Sequence, residues 1–265
     1  MKIPTKWLPL WVPRINRQRF RELFFDIENL KQLQQHGEYD LREFYIFDDR
    51  KLVYLITSKV ACTSIKMAIA PEYGIDVGAK TWEIHLRHLW NCQEGHLTTD
   101  KKTYYKFAFV RNPFDRLVSC YRDKVLRGGP REDDWGPHFH NYIFSIHTNL
   151  TFAQFVNRVV RIPDILADRH FKSQYFTLSR NGKLLVDYIG KFETLSQDWQ
   201  FLAQQYGFSE ELPHLNRSKK DKKDTSSDFR TYYTKELAQL VYKRYQQDVE
   251  LFGYRDAYED LLDFV

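Results

Sequence analysis

The stretch Ser58–Lys66 reads SKVACTSIK, with Lys59 near its head and Thr63 and Ser64 four and five residues later. An ammonium set beside two hydroxyls and the N–H groups of a helix start makes a pocket for an oxyanion such as phosphate or sulfate. The spacing is not that of a nucleotide P-loop. The glycines of GxxxxGK[ST] are missing, and Lys59 precedes the loop where that motif places its lysine after it. A second stretch, Phe107–Val125, reads FAFVRNPFDRLVSCYRDKV. Arg111 stands just before Asn112-Pro113, an N-cap with proline at the first helical position. Ser119 falls on the helical face of Asp115 and is directed back toward Arg111. An arginine and a serine so placed can share one phosphate, the arginine bidentately. Two such pockets side by side fit a ligand with phosphates at two separated places. Taken singly, each turn also reads as a plain βα turn, the first with a hydroxyl cap and a surface lysine, the second closed by an Arg–Asp pair.

These side chains need a scaffold, and the apolar pattern supplies one. Leu52–Thr57, Tyr105–Val110 and Leu185–Ile189 are short runs rich in β-branched and aromatic residues and predict buried strands. Each is followed by a helical pattern: Thr63–Ala70 stopped by Pro71, Pro113–Val125, and a helix capped by Thr194 that runs to about Tyr206 and ends at Gly207. Leu237, Val241, Tyr245 and Val249 recur every four residues behind Thr234 and predict one amphipathic helix ending at Gly253. Strand, short loop and helix in repetition is the pattern of an α/β fold with a central parallel sheet flanked by helices. Ligands of such sheets lie beyond the carboxyl ends of the strands, where both anion turns fall. Arg127–Phe139 (RGGPREDDWGPHF) and Asn216–Asp228 (NRSKKDKKDTSSD) read as loops.

Composition bounds the rest. With 265 residues, 43% apolar, 28% charged and a formal charge of +5, the chain is neither disordered nor a coiled coil. Residues 1–50 read as an N-terminal extension packed on the core and 51–265 as a single domain. Pro4, Pro9 and Pro13 interrupt the basic, aromatic start before any signal-peptide core forms. No run of about 20 uncharged apolar residues suggests a membrane span. A cytoplasmic or otherwise soluble location is expected, with a Golgi lumen only if an anchor is missing from this chain. Cys62, Cys92 and Cys120 have neither disulfide nor zinc spacing. The cluster Lys219, Lys220, Lys222 and Lys223 favours an anionic partner, although a solvated loop has the same composition, and no nucleic-acid partner is expected.

Together the two turns resemble the carbohydrate sulfotransferases, in particular the chondroitin and dermatan 4-O- and the heparan and uronyl 2-O-sulfotransferase groups. Lys59-Val60-Ala61-Cys62-Thr63-Ser64 is similar to their 5′-phosphosulfate loop, and Arg111-Asn112-Pro113 through Ser119-Cys120-Tyr121 to their 3′-phosphate motif. HFKSQ (His170–Gln174), YIGKFETLSQDW (Tyr188–Trp199), LPHLNRS (Leu212–Ser218) and Tyr232–Tyr254 are similar to later blocks of the family in the same order. The resemblance spans about Val53 to Tyr254. Ile65 stands where family members commonly carry Trp or Phe, and the membrane anchor of lumenal relatives is not seen.

The resemblance implies a P-loop-NTPase-like sulfotransferase fold and sulfuryl transfer from 3′-phosphoadenosine 5′-phosphosulfate to a carbohydrate hydroxyl, without a metal. It assigns Lys59 to the departing phosphate, with Ala61, Cys62, Thr63 and Ser64 on the 5′-phosphosulfate and Arg111 and Ser119 on the 3′-phosphate. Arg217, Ser218 and Lys219 fall in a closing loop as further phosphate contacts. It also places a histidine base between the two motifs, in WEIHLRHLWNCQEGHL (Trp82–Leu97). Histidine suits proton transfer near neutrality, and His85 and His88 share a helical face at i and i+3. His88 is taken as base with His85 assisting, and His96 comes third. His170 and Gln174 are acceptor-side candidates, Lys191 and Glu193 possible wall residues or a surface pair, and Arg127–Phe139 an acceptor-side lid with Trp135 to stack on a sugar. Two other readings remain open at this point: an ATP-dependent kinase-like phosphotransferase, and a catalytically silent nucleotide- or glycan-binding module.

Overall fold

Both faces of the central sheet are buried, which is why its strands read as continuous apolar runs rather than alternating ones. A computed structural model describes residues 27, 29–40, 42–76, 84–85, 101, 103–126, 146, 150–213 and 228–265. In chain order the elements begin with α1 (29–36), β1 (Phe44–Phe47), β2 (Leu52–Leu55), α2 (Cys62–Ile69), β3 (Tyr105–Val110), α3 (Pro113–Tyr121) and α4 (Phe152–Val159). There follow α5 (Gln174–Leu178), β4 (Ser179–Arg180), β5 (Lys183–Leu184), β6 (Tyr188–Lys191), α6 (Leu195–Tyr206), α7 (Lys235–Arg244), α8 (Gln246–Leu251) and α9 (Arg255–Phe264). The main sheet has the order β1-β2-β3-β6. β2, β3 and β6 run parallel, and β1 pairs antiparallel with β2.

Side chains alternate across this sheet. Phe44, Ile46, Val53, Leu55, Ala108 and Val110 pack on one face beneath α3, α4 and the carboxyl-terminal helices. Tyr45, Phe47, Leu52, Tyr54, Phe107 and Phe109 pack on the other with Ile65 and Ile69 of α2 and Trp199 and Leu202 of α6. The result is a mixed α/β architecture with a mostly parallel sheet between helices. Gly190 of β6 lies opposite Phe109 in this sheet. A Cβ there would stand 2.4 Å from the Phe109 ring and 3.1 Å from Asp198. Gly190→Ala is therefore expected to destabilise the fold by about 1–3 kcal/mol through overpacking. Its urea midpoint should fall below that of the wild type, and an unchanged midpoint would show that the ring moves aside freely.

Several expected boundaries shift. β1 lies inside the segment read as an N-terminal extension and forms the sheet edge, so the sheet is not wholly parallel. The third strand begins at Tyr188 rather than Leu185, because the Leu185 N–H donates to the Leu178 carbonyl at 2.8 Å instead of pairing with β3. Helix α3 ends at Tyr121, and Arg122–Leu126 continue as a π-helical turn. Thr194 and Gly207 stand at the N-cap and C-cap of α6 as expected, but the Thr194 hydroxyl makes no capping bond and donates instead to Asp198 Oδ2 at 2.6 Å. The helix behind Thr234 breaks at Tyr245, where ψ opens to 28°. Among the described residues, no helix is long and apolar enough to cross a membrane.

Candidate active site

The turn that leaves β2 and the turn that leaves β3 lie beside each other at the carboxyl end of the sheet. The Thr57 hydroxyl donates to the carbonyl of Phe109, and Arg111 Nη1 donates to the carbonyl of Lys59 at 3.1 Å. Within the first turn Lys59 and Ala61 adopt left-handed backbone, with φ of 68° and 51°. That region is disfavoured for residues carrying a Cβ, and such strain persists only where the surroundings enforce it. The kinked chain brings Ala61 to the N-cap of α2 without a side-chain cap, and the Ala61 carbonyl accepts the first helical bond from Ile65.

The Lys59 ammonium meets Asp123 Oδ2 at 2.9 Å, in the π-helical turn after α3. Burial alone would raise the Asp123 pKa, yet the Lys59 and Lys124 charges and the Lys59 hydrogen bond hold it well below the usual carboxylate range. Arg111 is turned onto Asp115, with Nη2 at 2.7 Å and Nε at 2.9 Å from Oδ2, and its guanidinium lies 4.0 Å from the centre of the Phe192 ring. Ser119 sits one turn further along α3 from Asp115.

Asn112 caps α3 as expected, its Oδ1 accepting from the N–H of Phe114 at 3.0 Å. Its own N–H donates to Glu193 Oε1 at 2.8 Å, and Glu193 Oε2 accepts from the Tyr254 hydroxyl at 2.9 Å. Lys191 does not pair with Glu193. It reaches the Gly253 carbonyl at 3.4 Å and lies 4.9 Å from the Tyr254 ring centre. Gln174 extends the strand pairing past β3, its amide accepting from the Arg111 N–H at 2.9 Å and donating to the Arg111 carbonyl at 2.8 Å. Asp248 in turn accepts the backbone N–H groups of Gln174 and Tyr175 at 2.9 and 2.7 Å.

His85 stands over the start of α2, with Nε2 3.0 Å from the Thr63 hydroxyl and Nδ1 3.1 Å from the Lys66 ammonium. An ammonium only donates, so Nδ1 carries the lone pair and Nε2 carries the proton. Desolvation by its packed neighbours, with the Lys66 charge beside it, lowers the His85 pKa, although the residue keeps an exposed edge. Cys120 is buried and its thiol is pushed up to about 12, so it stays protonated. His88, His96, Arg217, Ser218, Lys219 and the Arg127–Phe139 loop lie outside the described residues. Among the described residues, no group of three or more His, Cys, Asp or Glu is placed to hold a metal ion.

Two further groups belong to this site. Arg116, only 3% exposed, donates to the carbonyls of Ser58 at 2.9 Å, Lys172 at 2.9 Å and Arg169 at 3.0 Å. Asp168 meets His170 Nδ1 at 2.6 Å and also accepts the His170 N–H at 2.8 Å. Nothing in the local sequence marks Asp168 or Arg116, whose partners lie more than 50 residues away.

The sulfotransferase family model matches residues 42–255. This chain belongs to the sulfotransferase family. Its curated relatives include carbohydrate sulfotransferase 9 of Homo sapiens, 26% identical over 83% of this chain and 55% of that protein. Carbohydrate sulfotransferase 11 of Mus musculus is 26% identical over 81% of this chain and 68% of its own length. Carbohydrate sulfotransferase 12 of Mus musculus is 28% identical over 82% and 61%. The chain thus spans little more than half the length of the first of these. No solved structure gives a significant match. For this sulfotransferase-family chain the expected family membership holds, and the matched region contains both turns.

Proposed function

We propose that the protein transfers a sulfuryl group from 3′-phosphoadenosine 5′-phosphosulfate to a hydroxyl of a carbohydrate. The observation that carries this reading is the bond from the Arg111 guanidinium to the Lys59 carbonyl, which sets two cationic turns side by side at the sheet's carboxyl end. A donor with a 3′-phosphate and a 5′-phosphosulfate needs two such turns; ATP needs one and a glycine-rich loop. The names of the curated relatives support the carbohydrate acceptor. In this reading the fold serves as a P-loop-like cradle. The backbone of Ala61 and Cys62 and the hydroxyls of Thr63 and Ser64 hold the 5′ end at the start of α2. Arg111 and Ser119 hold the 3′-phosphate, with Arg217, Ser218 and Lys219 as the closing loop. Lys59 exchanges Asp123 for the bridging oxygen as charge develops there. A histidine accepts the proton of the sugar hydroxyl.

Adenosine 3′,5′-bisphosphate, the nucleotide product, is expected to raise the melting temperature far more than AMP or ATP. At about 100 times its Kd it should add roughly 2.7 kcal/mol of stability. Differential scanning fluorimetry reads the shift, and equal shifts with AMP would remove the 3′-phosphate assignment. Labelled donor with a panel of acidic and neutral glycans then reads the transfer itself.

A further inference from the structure

The base was expected between the two phosphate motifs, yet the described histidine there, His85, already directs its lone pair at Lys66 and its proton at Thr63. Another imidazole, that of His170, lies in a segment tied to the Lys59 turn. Arg116 binds the carbonyl of Ser58, the residue before Lys59, and the carbonyls of Arg169 and Lys172, which bracket His170. One buried guanidinium therefore fixes the Lys59 turn and the His170 segment against each other. The side chains are also electrostatically linked, since the Lys124 and Lys59 charges both lower the proton affinity of His170.

The Asp168–His170 pair has the form of a base and its orienting carboxylate. Burial raises the Asp168 pKa, but the His170 ring beside it and the hydrogen bonds from its Nδ1 and backbone N–H hold it below the usual carboxylate range, so the carboxylate is ionised and can only accept. Nδ1 of His170 is thus the protonated nitrogen, and the lone pair resides on Nε2. Burial also lowers the His170 pKa, against the pull of Asp168 and with Lys124 and Lys59 adding to the effect, which keeps the ring neutral and able to accept a proton.

We propose that His170, oriented by Asp168, is the catalytic base that takes the proton of the acceptor hydroxyl. The inference rests on the donor reading given above. In the step, the hydroxyl oxygen bonds to sulfur, the S–O bond to the 5′-phosphate breaks with its electron pair going to the phosphate oxygen beside Lys59, and the hydroxyl proton moves to Nε2 of His170. Asp168 is a positioning residue that selects the tautomer.

The test uses the full chain, the labelled donor and whichever glycan the wild type sulfates. His170→Ala and His170→Gln should each lower kcat by about 100-fold or more. Both should keep the wild-type thermal shift with adenosine 3′,5′-bisphosphate, and added imidazole should restore part of the turnover of His170→Ala. Asp168→Asn should lower kcat with little change in acceptor KM, and Asp168→Glu should recover part of it. The proposal is overturned by turnover within tenfold of wild type in both His170 variants. It is equally overturned if imidazole rescues His88→Ala but not His170→Ala, or if the His170 variants lose the bisphosphate shift together with activity. A wild-type protein that neither sulfates any glycan nor responds to the bisphosphate would instead overturn the donor reading, and this proposal with it.

Discussion

Lys59→Ala is expected to lower kcat by about 10²–10³-fold, the scale seen when one preorganised charge is removed from a developing anion. Donor KM should change far less. In the proposed transfer the reason is differential: before reaction the bridging oxygen would carry little charge, and only as the S–O bond opens would it become a full partner for the ammonium. In the resting protein that ammonium is already held by Asp123 at 2.9 Å, so its position is set in advance and only its partner changes. Arg111→Ala should show the opposite split, with donor KM raised and kcat less affected, because a 3′-phosphate has the same charge throughout. Steady-state kinetics on both variants separate the two roles. Intact turnover in Lys59→Ala with collapsed donor affinity would show that Lys59 serves binding alone.

The second large effect is structural and begins at Arg116. Arg116→Met removes three charge-assisted hydrogen bonds and leaves the carbonyls of Ser58, Arg169 and Lys172 without that partner inside the protein. Each abandoned buried acceptor costs about 1–3 kcal/mol, so a total loss of about 3 kcal/mol or more is expected. Arg116→Lys keeps the charge but not the planar fork that spans three carbonyls, and should recover only part of the loss. Urea denaturation measures both. A loss below about 1 kcal/mol in Arg116→Met would show that the turn after β2 is held elsewhere.

What could be read from the sequence followed the range of the interactions involved. β2 and β3 were legible because burial on both faces leaves an uninterrupted apolar signature, and the Asn112-Pro113 helix start because capping is local. β6 was displaced because a strand reading YIGK takes its place from pairing with β3, not from its own composition. β1 went unread among the charged residues around it, although FYIF and LVYL flank the short turn that joins them. Asn181-Gly182, with both residues at positive φ, is the two-residue turn of the β4-β5 hairpin, yet strands of two residues leave no periodicity to find. In the site, Lys59 and Arg111 were legible as motifs. Arg116, Asp123 and Asp168 were not, since Arg116 meets Ser58 from 58 residues away and Asp123 meets Lys59 from 64.

The clasp at Asn112 also orders events during synthesis. Its N–H is closed by Glu193, 81 residues later, and Glu193 is held by Tyr254, a further 61 residues on. On a ribosome the Lys59 and Arg111 turns emerge early, with neither Gln174 nor Glu193 yet made. The nascent chain can stack β1, β2 and β3, but the turn that ends β3 acquires its full set of partners only when the carboxyl-terminal helices dock. The two turns are therefore fully aligned only once the helices after Thr234 are made, and a chain released short of Tyr254 would carry both motifs without the frame that aligns them.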